Sequence, residues 1–328
     1  MRRLLVYAIL VLLGSAGHAV AQNQKLVRLS YSGGWDAIPA IVAQERGFFA
    51  EEGLRVSGLS VTSATAVAQS IIVGTTDFAL IPQRALLVMA TTGLDFSIVS
   101  QGGWGMHMEL VVRASDKGTK SLKDLKGKTI AVGSGSEALP VLVRLLNQAQ
   151  MSPKDVNIRN VNLSNLVKAF NQPGIDAVFD TRHYTDRLVS EEVGRVVMSN
   201  EDVTNAIGRI GAVPLVANKA MVDEKPELVQ KFVNAWVRGL AYIQKDPEDA
   251  ARRLQIFLHR QGSKIEKEQA LSWLGMINYD RYTWTEGDIA DAEYNGWGLN
   301  TGGVLKDQPK VAGFVDNRFA EAAAKTLK

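Results

Sequence analysis

The sequence contains no cysteine. That excludes disulfides, thiolate metal sites, thiol nucleophiles and a lipid-modified N-terminal cysteine. Histidine is scarce, with four in the chain. His107, His183 and His259 lie far apart and show no His-x-x-x-His spacing, so the zinc-hydrolase pattern is missing. Gly-x-Ser-x-Gly is absent too, which removes the nucleophile elbow of the α/β-hydrolases. No Ser-His-Asp grouping can be assembled. Charge of one sign is also lacking: 37 Lys and Arg stand against 34 Asp and Glu. Arg2 and Arg3 supply most of the small excess, so nothing points to nucleic acid or another polyanion.

Long apolar runs are missing as well. The longest, residues 4–13, has about half of the roughly twenty residues that a bilayer crossing requires. It follows Met1-Arg2-Arg3 and precedes Ala19-Val20-Ala21. A basic start, a short hydrophobic stretch and a small-x-small end form an export signal cut after Ala21. The expected mature chain is a soluble periplasmic protein. Its composition, 46% hydrophobic and 22% charged, is that of an ordinary globular protein long enough for two domains.

The pattern along the chain alternates between strand and helix. Residues 25–31 form an apolar strand broken by Ser32-Gly33-Gly34. Asp36 opens a helix carrying Ile38, Ile41 and Val42 at helical spacing, with Pro39 in its first turn and Gly47 as its stop. A second strand covers 54–61. Ser63 or Thr65 caps a helix to Ile72, a short strand covers 77–81, a helix 84–92 and a strand 96–100. A second cycle has strands at 129–132, 156–162, 176–179 and 195–198, with helices after Glu137 and Ser164. Such alternation predicts parallel sheets. Past the extended run 213–217 the chain turns helical, with Pro226 and Pro247 in first turns and Asp246 as a cap. That tail is expected to pack on one of the sheets. The implied architecture is two α/β lobes, 22–112 plus 213–328 and 113–212. Met108 to Arg113 and Val213 to Ala217 mark the passages between them, and a cleft lies at the hinge.

Five stretches carry a family resemblance. Residues 38–56, IPAIVAQERGFFAEEGLRV, resemble the opening of periplasmic solute-binding proteins of the nitrate, sulfonate and taurine type, a family that also includes binders of the thiamine pyrimidine precursor. Residues 74–80, 122–132, 174–178 and 225–232 resemble further signatures in the family's order. The resemblance implies a type II periplasmic binding fold. It also implies a small-molecule ligand and a membrane permease with its ATPase. These signatures are mainly structural and do not name the ligand. Asp124-Leu-Lys-Gly-Lys128 is a polar turn, since it lacks the first glycine and the Lys-Ser/Thr ending of a phosphate loop.

Ligands of such sheets sit beyond the C-terminal strand ends, where helix N-termini attract negative charge. The loops that qualify place Ser32, Gly34, Trp35, Asp36, Ser63, Thr65, Gln83 and Trp104 on the first lobe. On the second they place Ser134, Ser136, Glu137, Asp180 and Arg182. Gly-Gly-Trp occurs twice, at 33–35 and 102–104. Its glycines would let backbone approach a ligand, and each tryptophan either walls the cleft or plugs the core. Gly133-Ser-Gly-Ser136 is either an anion nest or only a cap. Arg182, and less so Arg209, is placed to grip a sulfonate or carboxylate; the competing role is an ion pair with Asp180. Asp36 and Glu137 could themselves satisfy helix starts, which would suit an amine-bearing or neutral heterocyclic ligand.

The function expected is capture of a small organic solute, such as an aliphatic sulfonate or related anion, for an ATP-binding-cassette importer. The alternatives are a pyrimidine or aromatic heterocycle as ligand, delivery to a receptor rather than a permease, and, last, an enzyme on the same fold. A monomer with no cofactor, no metal and no catalysis is expected.

Overall fold

The computed structural model describes residues 24–31, 36–61, 64–134, 136–162, 165–208, 212–262 and 265–327. The expected export segment 1–21 and the candidates Ser32, Gly34, Trp35, Ser63 and Arg209 lie outside them, as does Ser164. The chain begins with β1 (Lys25–Tyr31), α1 (Ile38–Glu45), α2 (Phe48–Glu51), β2 (Leu54–Ser60), α3 (Ala64–Ile72), β3 (Phe78–Leu80), α4 (Gln83–Ala90) and β4 (Phe96–Trp104). There follow β5 (Met108–Arg113), β6 (Thr129–Gly133), α5 (Ala138–Gln148), β7 (Asn157–Val161), α6 (Leu166–Phe170), β8 (Ala177–Thr181), α7 (Arg182–Ser190), β9 (Gly194–Met198), α8 (Asn200–Ile207) and β10 (Ala212–Asn218). The rest is helical: α9 (Lys219–Glu224), α10 (Pro226–Lys245), α11 (Pro247–Arg260), α12 (Lys267–Leu274), α13 (Glu286–Thr301) and α14 (Arg318–Ala324).

Local chemistry sets many of these boundaries. Pro39 sits in the first turn of α1, and Gly47, at φ 80°, ends that segment. Ala37, not Asp36, holds the cap position. Thr65 lies inside α3, exposed, and not at a cap. Asp246 caps α11 by accepting the Asp249 N–H at 3.0 Å.

The strands form two five-stranded sheets, ordered β2-β1-β3-β10-β4 and β7-β6-β8-β5-β9. The alternating pattern predicted parallel sheets, but both are mixed. The β1–β2, β1–β3, β6–β7 and β6–β8 pairs are parallel, but β10 is antiparallel to β3 and β4, and β5 to β8 and β9. The reason is connectivity. The chain leaves the first sheet at the end of β4 and re-enters beside that end, with Ala212 opposite Trp104. A strand that enters where another leaves must run the opposite way. The passages are Gly105–His107 and the stretch holding α8. They lie immediately before Met108 to Arg113 and Val213 to Ala217, which are built into the sheets.

The first sheet buries Val27, Leu29, Phe78 and Leu215 against α1 and α10. Helix α10 presents Leu228, Val229, Phe232, Val233, Trp236, Val237, Leu240 and Ile243 as a buried stripe at helical spacing. Phe232 stacks on Phe78 with ring centroids 3.9 Å apart and meets Phe49 at 4.9 Å. The second sheet buries Leu110, Ile130, Val132 and Phe179 against α5. The helical tail does not keep to one sheet. Helix α13 packs on both α4 and α5. Gly298 permits that contact, since a Cβ there would lie 2.7 Å from the Pro140 carbonyl oxygen.

Candidate functional site

The two sheets bring α4 and α5 together at the C-terminal ends of β3 and β6. Glu137, 4% exposed, precedes α5. Its Oε1 accepts the Arg84 main-chain N–H at 2.5 Å. A carboxylate from the second sheet's unit thus rests on the N-terminal turn of α4 from the first. Burial pushes the Glu137 carboxyl up to about 7, against the opposing pull of the Arg84 N–H and the Arg84 charge. Its Oε2 is buried and has no hydrogen-bond partner among the described residues. Arg84 Nη1 reaches the Ser136 carbonyl at 3.5 Å. Burial also lowers the Arg84 pKa, with Glu137 acting the other way.

The candidates at the end of the second sheet are occupied by one another. Asp180, fully buried, accepts the Gly133 N–H at 2.7 Å through Oδ2 and the Thr181 N–H at 2.8 Å through Oδ1. The Ser136 hydroxyl lies 3.2 Å from Asp180 Oδ2, donates to the Gly133 carbonyl at 2.9 Å and accepts the Ala138 N–H at 3.1 Å. The Gly133 N–H is therefore taken by an internal carboxylate, and the Ser136 hydroxyl takes the Ala138 N–H at the start of α5. Ser134 is exposed, its N–H bonded to the Val161 carbonyl at 2.7 Å. Burial raises the Asp180 carboxyl despite these donors.

Arg182 is the first residue of α7, where a loop was expected. Its fork is spent on Asp186, with both bonds at 3.2 Å, and its Nε lies 3.5 Å from Glu109 Oε1. The ion pair is real, but its partners are Asp186 and Glu109, not Asp180. Asp36 is buried near Tyr31, whose hydroxyl pKa it helps to raise after burial has done most. Gln83 is buried, and its Oε1 accepts the Asn295 Nδ2–H at 2.5 Å. Asn295 in turn takes a bond of 2.6 Å from buried Arg144.

Trp104 sits elsewhere. Strand β4 runs on through Gly102-Gly103-Trp104, where a loop was expected. A Cβ on Gly102 would meet the Val213 carbonyl oxygen, and one on Gly103 would meet Ile277 Cγ2 at 2.6 Å. These glycines admit neighbouring protein, not a ligand. The Trp104 indole donates to Asp280 Oδ1 at 2.5 Å and lies under the Arg281 guanidinium at 4.3 Å. Close by, a shallow cavity of about 420 Å³ is lined by Asp280, Arg281, Tyr282, Thr283 and Lys325, among others. Arg84 escaped the sequence reading, although a signal was there: it follows Pro82-Gln83, a loop selected as a strand end. Among the described residues no group of three or more His, Asp or Glu side chains could hold a metal ion.

Two mixed α/β sheets, with the chain crossing twice and helix starts meeting between them, make up the periplasmic-binding-protein fold. A putative periplasmic sulfonate-binding protein of Methylobacillus flagellatus has this fold, with a TM-score of 0.77 at 18% identity over 93% of this chain and 95% of that one. Residues 35–250 match the family described as NMT1/THI5 like, and the chain belongs to that family. A putative aliphatic sulfonates-binding protein of Bacillus subtilis is 23% identical over 252 residues, 75% of each chain. A putative binding protein of Brucella abortus is 24% identical over 235 residues, 71% of this chain and 72% of the relative.

Proposed function

We propose that this chain is an extracytoplasmic solute-binding protein of an ATP-binding-cassette importer. It takes a small organic solute, an aliphatic sulfonate or a related anion, between a lobe of residues 22–112 plus 213–328 and a lobe of 113–212. The closed form docks on a membrane permease that works with its ATPase, and no bond of the solute is made or broken. The observation that carries this reading is the bond from the Arg84 amide to Glu137, which joins the two units where the strand ends converge. The Arg84 guanidinium beside that contact suits an anionic group. The names of the Methylobacillus and Bacillus relatives agree with a sulfonate. No helix among the described residues is long and apolar enough to cross a membrane, in keeping with a diffusing carrier.

The reading is tested by thermal-shift and calorimetric screening against alkanesulfonates, taurine, nitrate, aromatic acids and aminopyrimidines. At least one should raise the melting temperature with a saturating dose response. A panel without a stabilising compound would remove the function.

A further inference from the structure

Helix α13 touches both units, yet its two ends belong to the first. Just before it, the Trp284 N–H donates to Asn317 Oδ1 at 2.9 Å, and Asn317 Nδ2 donates back to the Trp284 carbonyl at 2.7 Å. The Tyr282 carbonyl accepts the Gln101 N–H and the Ser100 hydroxyl of β4, both at 2.8 Å. Beyond the helix, the Asp316 N–H donates to the Ile98 carbonyl of β4 at 2.9 Å, and Phe314 stacks on Phe96 at 4.1 Å. Midway, Gly296 lies against Pro309 of the same tail, so close that a Cβ would run into the ring. A helix clamped to β4 on both sides moves with the first sheet.

The face of α13 toward the second unit is built differently. Gly298 and Gly302, one turn apart, lie against Pro140 and Leu139 of α5. Glycines present no side chain to interlock, and packed helices with such a face can slide past each other. One long side chain crosses the contact. Arg144 rises from α5 and is buried beneath α13. Its bonds are divided between the units. Asn295 Oδ1 at 2.6 Å and Asp291 at 3.4 Å belong to α13, whereas the Ile207 carbonyl at 2.5 Å belongs to the second unit's own α8. The Asn295 amide reads both sides, since its Nδ2 donates to Gln83 at the start of α4. Arg144 Nε is buried and has no partner among the described residues. If the units part, Arg144 keeps Ile207 and loses α13, and breaking such a buried contact is costly.

Building on the solute-binding reading, we infer that α13 rides with the first lobe and that Arg144 is a latch across its glycine face. Seated under α13, Arg144 holds the lobes shut. Opening slides α5 off that face and unseats it. The Glu137 contact with the Arg84 amide shuts in step, because Asn295 holds both Arg144 and the neighbour of Arg84. A solute that needs the shut form binds more weakly once the latch is removed, by the factor in which the shut share falls.

Label distances test this without any solute. The chain has no cysteine, so spin labels go only where cysteines are introduced. Thr301 at the end of α13, Lys231 on α10 and Lys154 between α5 and β7 are exposed. One protein carries Thr301→Cys with Lys154→Cys, the other Thr301→Cys with Lys231→Cys. Pulsed electron resonance should find one dominant distance for each pair. Adding Arg144→Met keeps the bulk and removes the donors. It should raise the share of longer distances about threefold for the 301–154 pair and leave the 301–231 pair as it was. Arg144→Lys, which keeps the charge with fewer donors, should fall between. Lengthening of the 301–231 pair alone would mean that α13 leaves with the second lobe, which overturns the inference. Distances unchanged in both pairs overturn it too. So does equal broadening of both, since Arg144 would then support the fold at large. In each of these cases the solute-binding reading stands, because the thermal-shift panel decides it separately.

Discussion

Glu137 combines a helix-start position and near-complete burial with one oxygen that has no partner among the described residues, so its proton is coupled to folding. The folded protein holds that proton up to about 7, whereas an ordinary glutamate releases it near 4.5. Between these values the folded chain binds more protons than the unfolded one, so stability falls as pH rises through that window. The contribution is full below 4.5 and gone above 7, with an upper size of about 3 kcal/mol. Buried Asp180 is shifted in the same direction. Glu137→Gln removes the first of these and should flatten the melting temperature against pH between 5 and 8, leaving the variant more stable than the parent at pH 8. An unchanged pH profile would show that Glu137 is ionised and solvated in the folded protein. Phe232 offers a contrast with no charge involved. It is wedged between Phe78 and Phe49 in the first sheet's core. Phe232→Ala should lower stability by about 3–5 kcal/mol in urea titrations, with little dependence on pH.

At the level of elements, the contact between α13 and α5 depends on one missing side chain. Gly298→Ala would put a methyl carbon 2.7 Å from the Pro140 carbonyl oxygen, which is backbone and cannot turn aside. The two helices must separate, and a loss of about 1–3 kcal/mol is expected on chemical denaturation. Gly313→Ala serves as the control. A Cβ there meets nothing within 4 Å, so a change within about 0.5 kcal/mol is expected. Elements governed by near neighbours were legible in the sequence: β1 and α1 from apolar spacing and Pro39, and α11 from Asp246 and Pro247. Elements whose partners are distant in sequence were not. The antiparallel course of β10 follows from where the chain re-enters the first sheet, and no local pattern encodes that. Helix α7 was taken for loop around Arg182, because its polar face masks the periodicity. The same division runs through the site. The strand-end loops pointed to Gln83 and Glu137, but the bond between α4 and Glu137 spans 53 positions, beyond the reach of spacing rules. The role of Trp104 stayed open in the sequence, because glycines that admit Val213 and Ile277 look, in sequence, like glycines that admit a ligand.

For the whole molecule, the question is what makes two sheets behave as one body. The covalent links are two short passages. The non-covalent links among the described residues include α13, lying on both α4 and α5, and the Glu137 contact. Arg144 is the tie at their centre. Its side chain, 1% exposed, donates to Asn295 Oδ1 at 2.6 Å and to the Ile207 carbonyl at 2.5 Å, lies 3.4 Å from Asp291 and covers the Tyr294 ring at 4.4 Å. Through Asn295 it also holds Gln83 at the start of α4. One buried cation therefore joins α5, α8 and α13 and, at one remove, the first sheet's unit. Removing it strands the Asn295 and Ile207 acceptors on two elements, α13 and α8, and the loss should be about 3–5 kcal/mol. The more specific consequence concerns cooperativity. With α13 loosened, each sheet keeps its own core, Phe78 and Phe232 in one and Ile130 and Phe179 in the other. Scanning calorimetry of Arg144→Ala should then resolve two transitions where the parent protein gives one, with the first moved to lower temperature. A saturating ligand that touches both units should draw the two transitions back together. A single transition at the parent's temperature would mean that the short passages and the remaining α13 packing couple the sheets without Arg144.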